Sequence, residues 1–217
     1  MAKDIGLFAA IHNMRAMRRL KPDPVPDALI HQIIAAGLCA PSGGDVQHWR
    51  FIVVKDLEIK KQIQLRYKKA LDQLLPRYRA APPPPGKTEA QKNRMLDAVV
   101  YLTEHFHEAP VLIVCCLVGD MAKAIGLPKM SGASVYPAVQ NMLLAARGLG
   151  LGSTLTTRHL LFEKEVNEVL GLPDNAETFA ILPIGYPMGK FGPVSRQPVE
   201  TVTFQDRWGQ PYAPAAS

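Results

Sequence analysis

The sequence predicts an α+β sandwich, a β-sheet with helices packed on its faces. Three observations carry this. Segments of helical and strand period interleave, but without the regular rhythm of a doubly wound fold. Two helices precede the first strand, and two more separate it from the second. The strand candidates are short, apolar and rich in β-branched residues, as buried strands are. One long helix past the middle of the chain is apolar almost all round and so demands cover. A chain of 217 residues, 47% of them hydrophobic, can enclose such a core, and residues 1–217 read as a single domain without internal repeats.

The elements follow from period and punctuation. Leu7, Phe8, Ile11 and Met14 stand at helical spacing, so residues 6–19 predict a first helix. Lys21-Pro22-Asp23-Pro24-Val25-Pro26 breaks it. Pro26-Asp27 suits the first turn of a second helix, where proline's missing N–H costs nothing and an acid meets the positive pole. Leu29, Ile30, Ile33, Ile34 and Leu38 form its apolar face. Pro41-Ser42-Gly43-Gly44 predicts a turn, and Phe51-Ile52-Val53-Val54 a buried strand. Residues 57–75 predict a helix stopped by Pro76. Residues 80–86, with four consecutive prolines, predict a surface loop rather than a domain linker, because what precedes them is too short for a complete α/β domain. Thr88 and Gln91 form a capping-box pattern that opens a helix to about residue 107. Residues 111–118 predict a strand. The apolar helix spans 135–149, and Gly148, Gly150 and Gly152 mark its end. A strand at 153–157, a short helix at 163–170 and a strand at 179–184 follow. From Tyr186 onward glycine, proline and charge leave little periodicity, which predicts an extended arm. Its Val199, Val202, Phe204, Trp208 and Tyr212 mark a contact surface.

Composition narrows the partners. A formal net charge of +6 suits nucleic acid, a membrane surface or an anionic cofactor. The basic residues are scattered. Lys60-Lys61, Arg66 and Lys68-Lys69 gather on one helix, but interleaved with Ile63, Leu65 and Leu71 they read as its solvated face. No nucleic-acid fingerprint is visible, so no nucleic acid is expected. No apolar run reaches ~18 residues, so no membrane span is expected. Met1-Ala2-Lys3-Asp4-Ile5-Gly6 carries an acid and lacks a signal-peptide pattern, which predicts a cytoplasmic protein. Cys39, Cys115 and Cys116 make no disulfide framework and no CxxC pair. His105 and His107 have no companions at ligand spacing, so no metal is expected.

Two segments carry candidate chemistry. Arg15-Ala16-Met17-Arg18-Arg19 places three arginines within five residues, and in a helix Arg15 and Arg18 would share a face. Planar guanidinium forks suit phosphate and flat polar edges. The same residues also suit a plain solvated helix end at the negative pole. Ala40-Pro41-Ser42-Gly43-Gly44-Asp45-Val46-Gln47-His48-Trp49-Arg50 offers small residues that let backbone approach a flat ligand, with Ser42 and Gln47 beside it. Taken alone it is equally a helix-to-strand turn.

Together and in order these segments resemble the N-terminal signature of the nitroreductase family: Arg15-Ala16-Met17-Arg18, Pro24-Val25-Pro26, Ala40-Pro41-Ser42-Gly43-Gly44, Gln47 and Trp49-Arg50-Phe51. Farther on, Ala138, Gln140-Asn141, Leu143-Leu144-Ala145-Ala146, Gly150-Leu151-Gly152 and Leu155-Thr156-Thr157 resemble that family's central helix and following strand. Ile184-Gly185-Tyr186-Pro187 and Arg196-Gln197-Pro198 complete the match, which leaves out roughly residues 57–108. The resemblance implies a central, mostly antiparallel sheet flanked by helices, with an extended C-terminal arm. It implies FMN as cofactor, NAD(P)H as donor, a small acceptor such as a nitroaromatic or quinone, and a homodimer with FMN at its interface. Arg15, Ala16, Met17 and Arg18 would face the FMN phosphate, ribityl chain and pyrimidine edge. Pro41, Ser42, Gly43, Gly44 and Gln47 would come from the other subunit. Leu155, Thr156 and Thr157 would lie along the isoalloxazine, and Arg196 would bind phosphate. Arg18 would stabilise the negative charge of the reduced flavin, and no protein nucleophile is needed.

The chain departs from the family pattern at several places. Ala16 stands where serine is common, Met14 where another arginine is, Val194 where lysine or arginine is, His48 where proline is and Asp45 where asparagine is. No dinucleotide GxGxxG is present, so reduced nicotinamide would only visit the flavin face. Other reactions of the superfamily stay open: dehydrogenation, reductive dehalogenation, flavin fragmentation, or flavin binding without catalysis. The segment 81–94 and His48 are where such specificity would be shaped.

Overall fold

A computed structural model describes residues 5–119, 126–127 and 130–212. Its helices are α1 (Leu7–Asn13), α2 (Asp27–Leu38), α3 (Leu57–Ala80), α4 (Glu89–Glu104), α5 (Gly132–Gly148) and α6 (Glu163–Leu170), and its strands β1 (Trp49–Val54), β2 (Val111–Val118), β3 (Gly152–Ser153) and β4 (Ala176–Gly185). The strands make one sheet in the order β1-β2-β4-β3, every pair antiparallel. The expected α+β architecture with helices on both faces is therefore observed, and 111–118 and 163–170 coincide with the expected boundaries.

Alternation along β2 divides the core in two. Val111, Ile113, Cys115 and Leu117 face Ile30 and Ile33 of α2 and Val135, Ala138, Val139 and Met142 of α5. Leu112, Val114 and Cys116 point the other way, toward Ile63 and Tyr67 of α3, Leu102 of α4 and Val166 of α6. Ile113 and Leu112 are both fully buried, which marks the sheet as the middle layer. Full burial of each such side chain stabilises by about 1.5–3 kcal/mol. β1 is an edge strand that contributes to both core layers, Trp49 and Phe51 to one and Ile52 and Val54 to the other, so the buried strand expected there is observed with only Val53 of its apolar residues exposed.

Three expectations need correction. The first helix ends at Asn13, not at 19. Beyond it the chain is extended, because its backbone finds partners on the sheet. The Met17 N–H donates to the Ser153 carbonyl at 2.9 Å, the Lys21 N–H donates to the Tyr186 carbonyl at 2.8 Å, and Leu20 bridges to Pro187. Pro76 does not stop α3, which runs on to Ala80. Proline removes one donor there, but α4 packs alongside, and the ammonium of buried Lys92 donates to the Arg79 carbonyl at 2.9 Å and to that of Ala81, so the last turn is capped from outside. The strand expected at 153–157 pairs continuously only over Gly152–Ser153 and returns as a single bridge from Thr156 to Ile181. The register puts Pro183 opposite Thr154, and proline has no N–H to give the ladder.

Local polar signals hold as well. Thr88 Oγ1 accepts the Gln91 N–H at 3.2 Å, and Gln91 Oε1 accepts the Thr88 N–H at 2.9 Å, a complete capping box at the start of α4. Residues 82–87 form an irregular surface loop leading into it. After β4, the chain runs back along residues 12–21 through Met188 N–H to Arg19 carbonyl and Val194 N–H to His12 carbonyl, both 3.0 Å. From residue 195 the arm is almost wholly exposed.

The close approach of these layers is set by Gly152. A β-carbon there would stand 2.8 Å from Leu20 Cδ2, 2.9 Å from Met17 Cβ and 3.2 Å from Pro187 Cβ. Gly152→Ala should therefore lower unfolding stability by about 1–3 kcal/mol through overpacking. Urea denaturation of both proteins checks this, and equal midpoints would show that residues 14–20 are not held against β3.

Candidate functional site

The extended segment 14–20 creates the site. Along the edge of the sheet, Gly152, Thr154 and Thr156 turn their backbone groups toward β4, and Ser153, Leu155 and Thr157 turn theirs outward. The outward carbonyl of Ser153 is taken by Met17. Beyond that contact the edge at 155–157 lies open, and Arg18 reaches it. Arg18, Thr154, Leu155, Thr156, Thr157 and Arg158 line a cavity of about 150 Å³ with Tyr67, Tyr78 and Leu102. Thr156 is pinned from behind, its N–H and Oγ1 both donating to the Ile181 carbonyl, at 3.1 and 2.7 Å.

A larger cavity of about 630 Å³ opens on the same segment, lined by Arg15, Ala16, Met17, Arg18, Arg19, Arg94 and Lys190 among others, with Asp97 as a carboxylate. Arg19 is partly engaged, with its guanidinium 4.8 Å from the centre of the Tyr101 ring. Arg15 and Arg18 have no hydrogen-bond acceptor or ion-pair partner among the described residues. Burial, and then the neighbouring Arg158 cation, lower the Arg18 guanidinium below its usual range, against an opposing pull from Tyr67. A half-buried cation facing another cation, without a carboxylate, is a site for an anionic or electron-rich group.

The sequence reading missed Arg158. Its Nη1 donates to the Tyr67 hydroxyl at 2.6 Å, and the guanidinium stands 5.3 Å from that ring's centre. Tyr67 is stacked on Phe106 with centroids 4.4 Å apart, so the arginine rests on a rigid base. Burial pushes the Tyr67 hydroxyl up, and the adjacent cations pull against it. The available signal was position: Arg158 directly follows Thr157 on a segment already marked for ligand contact.

The expected helical sharing of a face by Arg15 and Arg18 does not occur, because the segment is extended. The two nevertheless line the same cavity. The loop of Pro41, Ser42, Gly43, Gly44 and Gln47 lies elsewhere on the same chain. Ser42 Oγ accepts the Gln47 N–H at 2.9 Å, and the Gly43 N–H donates to Ser134 Oγ at 3.1 Å, so the loop sits at the start of α5. Gly44, Asp45 and Gln47 all adopt positive φ, at 60°, 56° and 49°. Two non-glycine residues in that region within three positions is stored strain of the kind that gathers at ligand sites. Arg196 is exposed, its Nη1 on the carbonyl of its neighbour Ser195 at 3.0 Å, and it does not line the cavities described above.

An antiparallel sheet whose outer edge carries a cationic, partly sheltered cavity defines a ligand-binding α+β protein. The sequence profile of the Nitroreductase family matches residues 11–186, and the chain belongs to that family. It is 31% identical over 202 residues to the NADH dehydrogenase of Thermus thermophilus, covering 87% of this chain and 90% of that one. It is 29% identical over 191 residues to the iodotyrosine deiodinase of Daphnia pulex, covering 83% of this chain and 58% of that one. Among solved structures, oxidized iodotyrosine deiodinase bound to FMN and 3-iodo-L-tyrosine superposes with a TM-score of 0.71 at 25% identity, over 89% of this chain and 96% of that one. The NADPH:FMN oxidoreductase of Vibrio harveyi, complexed with NAD+, shares the fold with a TM-score of 0.69 at 21% identity, over 94% of this chain and 78% of that one. No helix among the described residues is long and apolar enough to cross a membrane.

Next to Arg158, His159 is fully buried, and neither ring nitrogen has a partner. Burial lowers its pKa to about 4. The unfolded chain takes up a proton on this residue below about pH 6.5, whereas the native chain resists it until near pH 4. Stability should therefore fall as pH drops from about 6.5 to 4, by up to about 3 kcal/mol, and level off below that. Denaturant titrations across this range should show the slope flattened in His159→Met, and an unchanged slope would assign the acid sensitivity to other groups.

Proposed function

We propose that this protein is an FMN-dependent oxidoreductase that moves a hydride from NAD(P)H to a small acceptor such as a nitroaromatic or quinone. The observation that carries the reading is the meeting of a partnerless Arg18 with the outward backbone edge of Leu155, Thr156 and Thr157, in a member of the nitroreductase family. The residues present fit FMN. The cationic cavity with Arg15, Arg94 and Lys190 suits its phosphate, the backbone N–H groups at 155 and 157 suit the edge of a flat heterocycle, and Arg18 suits a polar rim that gains negative charge.

When bound, FMN would supply two-electron hydride chemistry between reduced nicotinamide and the acceptor. The protein's own part is positional. Thr156, tied to Ile181, holds the edge rigid. Ala16 and Met17 set the backbone path beside the ligand, and Arg196 adds a further cation for the phosphate. Pro41, Ser42, Gly43, Gly44 and Gln47 belong to the partner's half of the site, which accounts for a strained loop that does not line the cavities described above. The likeness to an iodotyrosine deiodinase supports a second reading, reductive dehalogenation of a halophenol at the same place.

Purified protein titrated with FMN should take up about one equivalent per subunit. Arg18→Gln, at matched occupancy, should lower the two-electron midpoint by roughly 30 mV, because the cation favours the reduced flavin's charge. A protein that stays colourless in excess FMN rejects the reading, and an unchanged midpoint removes Arg18 from that role. Steady-state reduction of menadione, a nitrobenzene and an iodophenol separates the two acceptor classes.

The assembly is a homodimer with two FMN sites at its interface. Large apolar side chains stand in solvent on several elements, among them Leu7, Phe8, Leu38 and Val46, and Trp208 on the arm is 90% exposed. Such groups mark a surface meant to be covered. Light scattering should give twice the chain mass, and a chain ending at Pro198 should dissociate at higher concentration than the full chain. An FMN-loaded monomer at micromolar concentration would overturn the shared site, whereas an unchanged dissociation constant would remove only the arm's role.

A further inference from the structure

Beside the flavin cavity the structure carries a second one, of a different character. It encloses about 280 Å³ between residues 81–84 of the proline loop and the face of α4, near the lower end of small-molecule pockets, about 300 Å³. Its walls are Tyr78, Ala81, Pro82, Pro84, Met95, Leu96 and Val99. Three cations border it: Arg18, Lys92 and Arg158. Lys92 is already committed, to the carbonyls of Arg79 and Ala81 and to the Glu89 carboxylate at 3.4 Å. Arg18 is assigned above to the flavin rim. Arg158 remains. A single donor of its fork is used, on Tyr67, and no carboxylate pairs with it among the described residues.

We propose that Arg158 is a specificity-determining residue that binds the carboxylate of a small apolar acid, whose hydrocarbon or aromatic body fills the pocket between the proline loop and α4. The proposal rests on the oxidoreductase reading, since the pocket and the flavin cavity share Arg18 and Arg158. Division of labour follows from the linings. The larger cavity, with Arg15, Arg19, Arg94 and Lys190, is built for phosphate. The smaller one has an apolar wall and, in Arg158, a guanidinium with donors to spare beyond its bond to Tyr67, which matches a molecule with a single anionic end. Tyr67 is a positioning residue: stacked on Phe106, it fixes the guanidinium by its hydroxyl. Two neighbouring arginines repel each other when the pocket holds no anion, and the lowered pKa of Arg18 reflects that repulsion after burial. An incoming carboxylate relieves it, whereas a neutral ligand of the same shape does not.

The test compares benzoate with benzamide, which differ in charge and little in shape. Calorimetric titration of the FMN-loaded protein should show benzoate binding and benzamide binding at least about tenfold more weakly. Arg158→Gln should remove that preference, and Arg158→Lys should keep part of it. In steady state, the ratio of kcat/KM for 4-nitrobenzoate over 4-nitrobenzamide should fall about tenfold in Arg158→Gln, carried by KM. Equal binding of the two probes to the wild-type protein overturns the proposal. So does an unmoved ratio in Arg158→Gln. A loss of FMN affinity in that variant with the ratio unmoved assigns the guanidinium to the flavin instead. The benzoate titration needs no turnover and also runs on protein that takes up no FMN. Failure of the cofactor reading and failure of the acid site are therefore separate results.

Discussion

The site depends on one backbone hydrogen bond and its neighbours. The Met17 N–H donates to the Ser153 carbonyl, which makes residues 14–20 a lateral extension of the sheet beyond β3. Met17 and Leu20 bury their side chains behind this contact, while Arg15 stays accessible and Arg18 half-exposed. A helix continuing through residue 19 would have spent these N–H groups internally and turned the arginines away. Gly152 permits the approach, since any side chain there would meet Met17 and Leu20. The pairing also stops early: the segment leaves the sheet edge before 155–157, so that edge keeps free donors. A ligand can lie there only because the protein's own strand does not.

Electrostatics gives that open edge its chemistry. The usual fate of a half-buried arginine is a carboxylate partner, because an unpaired cation away from water is costly. Arg18 and Arg158 have none among the described residues and face each other instead. The fold supports this arrangement with rigid contacts: Tyr67 against Phe106, Thr156 against Ile181, Lys92 across the end of α3. Each removes freedom from a group next to the cavity, so the cations hold their positions without a counter-ion.

Much of this was legible in the sequence, and the failures share a cause. The strand at 111–118, the short helix at 163–170 and the capping box at Thr88 follow from period and local polar chemistry, which depend on neighbours in sequence. The sequence overextends the first helix because Met14 continues the apolar spacing of Leu7, Phe8 and Ile11, while the partner that makes 14–20 extended lies more than a hundred residues away, at Ser153. Pro76 reads as a stop because its missing N–H is local, whereas Lys92, which caps the turn beyond it, comes from the next helix. Thr154 reads as strand because Pro183 opposite it cannot be seen from 153–157. The candidate site was found through a family pattern, so it held only residues that match that pattern. Arg158 lies just past the matched motif, and only the fold brings it against Tyr67.

The loop at 41–48 completes the logic from the opposite direction. Positive φ at Asp45 and Gln47 costs energy, and inside one chain that cost has little return: Ser42 and Gln47 bond chiefly to the loop itself, and Ser134 merely anchors it to α5. The edge at 155–157 shows the complementary feature, donors and cations in a cavity that its own chain shelters only in part. A strained loop with few contacts beyond itself and a partly sheltered cavity, on different parts of one chain, are accounted for together if two copies close on each other. Exposed apolar side chains of α1 and of the arm are available to such a closure. In that arrangement the strain is held by the association rather than by the fold of either chain. FMN binding and dimer formation should then be thermodynamically linked, each tightening the other.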